Sequence, residues 1–360
     1  MARVKDRRRI FPPSLSFYVR QIRATMGPGG GDGRPRQNFP QKWGRKFLTQ
    51  LSLFLGRKLS HDSPMTVLKN ILVGVDFSEP SRRALKRAGA LARVWGAPLA
   101  VVHVLKEHPY EASLNPIALL EMLGETEEGL TRRLSEFTRE VLGEELSVET
   151  ELRVGVPDRD LIAEANERGA GLIVLGGHGK SALQRFFLGS LTETLAAHSP
   201  IPVWVERGEG VDVLRKVVLP TDLSPRSRRG VLVGLDWARR LSLPVVLLHV
   251  AETRFLPPRS LLESVSLEEK ILEMAQGPFE AFAAELPLQG LEVDRELRVG
   301  HATEEVETLL RAEPGALLIL STRGRSAPPT RRMGSVAHQL LRHAPGPTLL
   351  VPPDTLDAPF

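Results

Sequence analysis

A glycine-rich stretch with basic side chains, LGGHGKSALQRFFLGS at residues 175–190, is the part of the sequence best suited to chemistry. It follows the apolar run GLIV and contains four glycines, a histidine, a lysine and an arginine. Glycines let backbone N–H groups approach an anion closely, and the free N–H groups that begin a following helix favour negative charge. The stretch therefore indicates a phosphate-binding loop, to which Lys180 and Arg185 add positive charge.

The spacing of the glycines excludes two common phosphate loops. A Walker A loop needs a glycine five positions before Gly179, and residue 174 is valine, so GKS here is not part of one. No G-x-G-x-x-G follows the first predicted strand, which argues against a dinucleotide site. The spacing present is G-x-x-G, nine residues and then G-S, formed by Gly176, Gly179, Gly189 and Ser190.

An internal repeat divides most of the chain into two halves. Residues 71–104 align without a gap to residues 217–250, at an offset of 146. ELRVG occurs once in each half, and the first glycine-rich stretch, at 171–190, falls on ALLILSTRGRSAPPTRRMGS at 316–335. Duplication of one ancestral unit explains these matches.

Buried strands and amphipathic helices alternate within each half. In the first half the strands are predicted at NILVGVD, PLAVVHVL, SVETELRVG, GLIVLG and PVWVE. One of the intervening helices ends at Gly96, and another lies near Glu125–Leu142. Such alternation predicts right-handed βαβ units with a parallel sheet. The predicted fold class is therefore α/β, with two tandem doubly wound parallel-sheet domains. Asp76, Val104 and Gly176 then fall at the carboxyl ends of three strands, where such sheets bind ligands.

Charge and composition separate a leader from the folded part. The predicted organisation is a basic, mostly disordered leader at 1–64, a first domain at 65–206, a linker at 207–213, a second domain at 214–353 and a tail at 354–360. The leader contains 14 Lys/Arg and three Asp/Glu, whereas the rest contains 34 and 40, which argues against nucleic acid as a partner. The leader is either a basic arm for an anionic surface or a dispensable extension before Met65.

The absence of cysteine excludes disulfides and thiolate metal sites. It fits a reducing compartment, and we expect the protein to be cytoplasmic. No apolar stretch reaches the roughly 20 residues that a membrane-spanning helix needs.

The spaced glycine motif and its second copy resemble the universal stress protein family (UspA-type), in its ATP-binding branch. The resemblance covers nearly all of residues 65–352 as two copies. It implies an adenine nucleotide alpha hydrolase-like fold and ATP as the ligand, with Mg²⁺ or Mn²⁺ bridging the phosphates. It also implies that the final strand of each domain crosses to its neighbour, so that the two domains pair within the chain; association of two chains into a homodimer stays open.

The resemblance assigns roles to individual residues. In the first half, Asp76 would contact the ribose and adenine side, and the backbone of Val104 would meet the adenine. The ribose would be lined by Leu175 and Gly176, and the phosphates held by Gly179, Gly189 and Ser190, with Leu191 and Thr192 nearby. His178 would face the phosphates, as a weak acid or base or merely as a spacer. The matching second-half residues are Pro220, Thr221, Asp222, Val250, Ser321, Gly324, Gly334, Ser335 and Val336.

The second loop departs from the family pattern. Ser321 replaces the first glycine and is expected to crowd the close approach of a ligand. Pro328 and Pro329 remove two N–H donors from the spacer. Four arginines offer electrostatic compensation: Arg323, Arg325, Arg331 and Arg332. We therefore expect the first site to be the better preserved.

Structural roles compete with these assignments. Ser190 and Glu193 form a capping box, S-L-T-E, which alone would explain the serine. Asp76 and Asp222 are able to cap the helices that follow them, in competition with the serines two residues later. The histidines that end the second strand of each half fit packing better than ligand binding.

No pattern indicates an activated nucleophile or an acid–base pair, so no catalytic residue or metal ligand is predicted. The leading prediction is an ATP-binding protein that reports energy or stress state to partners. A non-nucleotide scaffold for dimerisation and a weak Mg²⁺-dependent ATPase are the alternatives.

Overall fold

A computed structural model describes residues 68–106, 126–177, 190–208, 213–252, 265–325 and 333–352. The predicted leader and tail lie outside the described residues, as do residues 178–189 of the first loop and residues 326–332 of the second. These segments contain His178, Gly179, Lys180, Arg185 and Gly189 in the first half and Pro328, Pro329, Arg331 and Arg332 in the second. The side chain of Ser190 also lies outside the described residues. Residues Pro64–Phe360 form one compact unit.

The described elements alternate in each half as the sequence predicts. The first half contains β1 (Ile71–Gly74), α1 (Glu79–Trp95), β2 (Leu99–Lys106), α2 (Glu127–Leu142), β3 (Val148–Gly155), α3 (Pro157–Glu167), β4 (Leu172–Gly176), α4 (Ser190–His198) and β5 (Val203–Glu206). The second half contains β6 (Lys216–Thr221), α5 (Pro225–Leu241), β7 (Val245–Glu252), α6 (Val265–Ala284), β8 (Val293–Gly300), α7 (Ala302–Ala312), β9 (Ala316–Ser321), α8 (Ser335–His343) and β10 (Thr348–Val351).

All of these strands belong to one sheet, in the order β3-β2-β1-β4-β5-β10-β9-β6-β7-β8. Neighbouring strands within each half run parallel. The strand order reverses between β1 and β4 in the first half and between β6 and β9 in the second. Ligands of doubly wound sheets bind at the carboxyl ends of the strands at such a reversal, so each half offers one crevice. The prediction of two tandem doubly wound α/β domains is confirmed.

The halves are joined by an antiparallel pairing of β5 with β10. Trp204 lies opposite Leu349 at the centre of this pairing, and the two residues occupy equivalent positions in the repeat. Each final strand also keeps its parallel neighbour, β4 or β9, within its own half. The final strands therefore meet at the boundary and remain in their own half, in place of the predicted crossing.

Serines begin the first helix of each half. Ser78 Oγ accepts a hydrogen bond from Ser81 N at 3.3 Å, and Ser224 Oγ accepts one from Ser227 N at 3.2 Å. The alternative in which Asp76 and Asp222 are the caps is wrong, because the aspartates bond to the capping serines instead. Helix α1 ends as predicted at Gly96, whose φ of 64° is the left-handed conformation that suits glycine.

Apolar side chains fill both faces of the sheet. One core lies under α1, α2, α5 and α6, and the other under α3, α4, α7 and α8. Each core continues through both halves of the chain. Among the described helices, none is long and apolar enough to cross a membrane.

Candidate functional site

The turn after the first strand has the same strained geometry in both halves. Asp76 Oδ1 accepts a hydrogen bond from Ser78 N at 3.0 Å, and Asp222 Oδ1 accepts one from Ser224 N at 3.0 Å. The residues between them, Phe77 and Leu223, both have a φ of 61°. A positive φ is uncommon for bulky side chains. Its recurrence shows that each half holds the aspartate at the strand end by the same turn.

A cavity of about 600 Å³ lies at the strand reversal of the second half. Its walls come from the ends of β6, β7 and β9, from α7 and from the first turn of α8. All nine residues predicted for this half line it: Pro220, Thr221, Asp222, Val250, Ser321, Gly324, Gly334, Ser335 and Val336. Arg323, Arg325 and Glu252 add charge to the lining. The volume lies within the range of small-molecule sites.

Helix α7 supplies two lining residues that sequence reasoning missed, Ala302 and Val306. Both are small or apolar residues on an amphipathic helix, so their pattern favours core packing. Only the position of α7, directly after the repeated RVG motif that ends β8, signals that its first turns face the cavity.

The loop after β9 closes against Asp222. Arg325 donates its backbone N–H to Asp222 Oδ2, and its Nη2 donates to the Asp222 carbonyl oxygen at 2.9 Å. A Cβ at Gly324 would lie 2.4 Å from Asp222 Oδ2, so only glycine permits this approach. Burial would raise the pKa of Asp222, but hydrogen bonds from Arg325, Ser224 and Ser227 outweigh it and lower the pKa. The carboxylate is thus ionised and held by the loop.

The first turn of α8 presents backbone donors to the cavity. Gly334 is the N-cap, and no side chain of the described residues caps this helix. The N–H groups of residues 335–337, which line the cavity, therefore have no acceptor within the helix. Gly334 itself is fixed by a hydrogen bond from its N–H to the Thr322 carbonyl oxygen at 2.8 Å. Such a helix start is suited to an anion.

Ser321 does not crowd the site in the predicted manner, because its hydroxyl is bonded to α5. Ser321 Oγ donates to the Arg226 carbonyl oxygen at 2.7 Å and accepts from Gly230 N at 2.9 Å. Gly230 makes room for it, since a Cβ there would lie 2.7 Å from Ser321 Oγ. The substitution of the loop glycine is therefore accommodated on the helix side.

In each half, one histidine of the second strand bonds to the backbone at the end of the first strand. His103 Nδ1 lies 2.7 Å from the Val75 carbonyl oxygen, and His249 Nδ1 lies 2.8 Å from the Thr221 carbonyl oxygen. Burial, and to a smaller extent Arg325, lowers the pKa of His249. The ring is therefore neutral at neutral pH and donates from Nδ1 to the strand. This agrees with the packing role predicted for both residues, although His249 also lines the cavity.

The described part of the first half repeats the same arrangement. Gly176 ends β4 against the start of α1, where a Cβ would lie 2.6 Å from the Pro80 carbonyl carbon. Thr192 Oγ1 donates to the Gly176 carbonyl oxygen at 3.2 Å and ties α4 to that strand end. Leu175 is buried in the core below, and Val104 and Leu191 are partly buried against it. Gly176 is thus required by helix packing as well as by any ligand.

Glu193, which the sequence places in a capping box with Ser190, bonds to a residue of the second half. Its Oε1 is hydrogen-bonded to His338 Nε2 of the second half. Among the described residues, no group of three or more His, Asp or Glu side chains is arranged to hold a metal ion.

Comparisons with known proteins agree with the resemblance. The sequence model of the universal stress protein family matches residues 68–207 and again 214–352. A universal stress protein of Mycolicibacterium smegmatis is 28% identical over 291 residues, which cover 79% of this chain and 97% of that protein. A universal stress protein of Methanocaldococcus jannaschii is 30% identical over 151 residues, 38% of this chain and 93% of that protein.

Solved structures show the same fold. A universal stress protein from Archaeoglobus fulgidus superposes with a TM-score of 0.56 at 20% identity, covering 79% of this chain and 98% of its own. Because the family model matches both halves and most of the chain, the protein belongs to the universal stress protein family, as a tandem of two family domains.

Proposed function

We propose that the protein binds an adenine nucleotide, ATP in the first place, and reports energy or stress state to partners through that binding. The observation that carries the proposal is the second-half cavity, where nine residues expected from the family pattern lie together. Its size suits a nucleotide, and the first turn of α8 offers free N–H groups to a phosphate.

The second half supports this function in spite of its altered loop. The hydroxyl of Ser321 is bonded to α5, and Arg323 and Arg325 line the cavity. Guanidinium groups match the charge and geometry of phosphates. We therefore extend the proposal to both halves, with Mg²⁺ or Mn²⁺ bound through the phosphates of the nucleotide rather than by a cluster of protein carboxylates.

The test is native mass spectrometry and calorimetric titration of the full chain with ATP and Mg²⁺. Gly324→Ala places a Cβ 2.4 Å from Asp222 Oδ2, so the carboxylate or the loop must move within the cavity. We expect binding at this site to weaken about tenfold or more, since overpacking of this kind costs about 1–3 kcal/mol.

Gly277→Ala is the matched control, because a Cβ there meets nothing within 4 Å on helix α6. It should bind as the wild type does. A wild-type chain that binds no nucleotide at millimolar ATP contradicts the proposal and leaves the scaffold as the function. Unchanged binding in Gly324→Ala would place the nucleotide outside this cavity.

A further inference from the structure

Helix α8 begins in the second-half cavity but is held by residues of the first half at both of its ends. Within the second half, Thr303 Oγ1 of α7 donates a hydrogen bond to Gln339 Oε1 of α8 at 2.8 Å. The bonds from the first half reach its first turn at His338 and its last turn at the carbonyl oxygens of Arg342 and Ala344.

The contact at the first turn joins equivalent positions of the repeat. Glu193 is the fourth residue of α4 and His338 the fourth residue of α8, and the two side chains are hydrogen-bonded to each other. The helices that start at the two phosphate loops are thus connected directly. A glutamate and a histidine are able to form a hydrogen bond with each other, so this contact suits the pairing of a first half with a second half. Pairing of two first halves would place Glu against Glu, and pairing of two second halves would place His against His.

The contact at the last turn is made by Arg207, which directly follows β5. Its Nη1 donates to the Arg342 carbonyl oxygen at 2.9 Å and to that of Ala344 at 3.4 Å. The carbonyl groups at a helix C-terminus carry partial negative charge and favour a cation. Burial lowers the pKa of Arg207 to about 10, so the guanidinium remains charged at neutral pH.

Arg207 is also packed against the start of the first phosphate loop. A Cβ at Gly177 would lie 2.5 Å from Arg207 Cγ and 2.8 Å from its Nε, so the arginine stem fills the space that this glycine leaves. The side chain is only 3% exposed. Nε and Nη2 are buried, and neither has a hydrogen-bond acceptor among the residues that the structure describes. Buried donors without acceptors are unfavourable, so this position is not explained by stability alone.

The two residues that form this contact in the first half, Arg207 and Gly177, are not repeated in the second half. The position equivalent to Arg207 is Pro352, and the position equivalent to Gly177 is Thr322. Proline has no side-chain donor, so the second half cannot hold the C-terminus of α4 in the same way. The second half therefore has no guanidinium at the position from which Arg207 contacts α8.

We propose that Arg207 and Glu193 of the first half are positioning residues for the second-half site, which they serve by holding helix α8. The proposal rests on the proposed function for its ligand, but the hold on α8 exists without one. It makes the second site dependent on the first half, and it connects α8 to Gly177, at the start of the first loop.

Hydrogen–deuterium exchange on the full chain without nucleotide tests the hold. Arg207→Met keeps the apolar stem and removes the donors, so we expect the amides of residues 340–344 to exchange about tenfold faster, as the loss of a charged hydrogen bond implies. Arg207→Lys keeps a charged donor group and should restore part of the protection. Glu193→Leu should instead accelerate exchange of the His338 amide, which donates to the Gly334 carbonyl oxygen.

Arg311→Met is the matched control, since Arg311 is exposed on α7 and pairs with Glu307. Helix α2, in the outer part of the first half, is the internal reference. If α8 exchanges in Arg207→Met as it does in Arg311→Met, or if α2 accelerates equally, the proposal is overturned.

Nucleotide titration of the same variants separates this proposal from the proposed function. We expect the binding event that is sensitive to Gly324→Ala to weaken several-fold in Arg207→Met and not in Arg311→Met. Faster exchange of α8 with unchanged nucleotide affinity would overturn the positioning role. A wild-type chain without bound nucleotide would end the proposed function and the ligand part of this proposal, while the exchange result would still decide the hold on α8.

Discussion

At the residue scale, the two halves differ in where the glycine lies at the contact between the fourth strand and the first helix. In the first half, glycine ends the fourth strand at Gly176, and the helix position equivalent to Gly230 of the second half is Ala84. In the second half, the strand ends at Ser321 and the equivalent helix position is Gly230. A Cβ at Gly176 or at Gly230 would lie 2.6 Å from backbone atoms of the facing segment. The space between strand end and helix therefore accepts a side chain from one side only.

This exchange predicts the behaviour of a pair of variants. Gly230→Ala should lower the free energy of unfolding by about 1–3 kcal/mol, as is typical of overpacking. Adding Ser321→Gly removes the two hydrogen bonds that hold the strand end against α5, so the strand end is free to move away from the helix. The double variant should thus be more stable than Gly230→Ala alone. Urea unfolding measures both, and additive losses in the double variant would contradict the exchange.

At the element scale, His249 connects β7 to the end of β6 and makes this connection sensitive to pH. Its folded-state pKa is lowered by burial, while the unfolded value is near 6.5. Below that pH the unfolded chain binds the proton more readily than the folded one, so the free energy of unfolding falls as the pH falls from about 6.5 towards the folded-state pKa. Above it, the histidine contributes no pH dependence.

We expect His249→Gln to reduce this loss of unfolding free energy at acid pH. Glutamine is able to donate to the Thr221 carbonyl oxygen but does not take up a proton, so the free energy of unfolding should decline less between pH 7 and about pH 5. His301→Gln serves as the control, because His301 is exposed and makes no capping bond at the start of α7. Thermal unfolding over this pH range measures the difference, and parallel curves for wild type and His249→Gln would refute the assignment.

The sequence predicts the strands and helices far better than it predicts the contacts between the two halves. The repeat and the alternating pattern predict every described strand and the parallel sheet, because buried strands and amphipathic helices are local properties. Strand β1 is shorter than NILVGVD suggests, since it ends at Gly74, although Val75 N still donates to the Val102 carbonyl oxygen. The nine residues around the second-half cavity follow from the resemblance to the universal stress protein family. The bond between Glu193 and His338 does not, because it depends on how the two halves meet.

At the scale of the whole molecule, the two halves share one sheet and both cores. The sheet is continuous across β5 and β10, and both cores extend through it. Trp237 of the second half contacts Trp95 and Trp204 of the first, with ring centroids 4.6 and 5.7 Å apart. A shared core of this kind favours one cooperative unfolding transition. The tryptophan cluster is a natural fluorescent probe of the boundary.

A buried ion pair of the first half orients part of this boundary. Arg87 and Glu206 are 10% and 4% exposed in their side chains, and Trp204 Nε1 donates to Glu206 Oε2 at 2.7 Å. This bond fixes the ring that stacks on Trp237. The second half has Val233 and Val351 at the positions equivalent to the ion pair, so the fold also accepts an apolar pair there.

Glu206→Gln should therefore destabilise both halves together. Removing one partner of a buried ion pair typically costs about 3–5 kcal/mol, and we expect a single urea transition, followed by tryptophan fluorescence, to shift as a whole. The double variant Arg87→Val/Glu206→Val introduces the apolar pair of the second half and should lose less, because no buried charge is left without its partner; the remaining loss comes from Trp204 Nε1, which no longer has Glu206 as its acceptor. Two transitions, of which only the first moves in Glu206→Gln, would show that the halves unfold independently, and the continuous sheet would then join two separately stable domains.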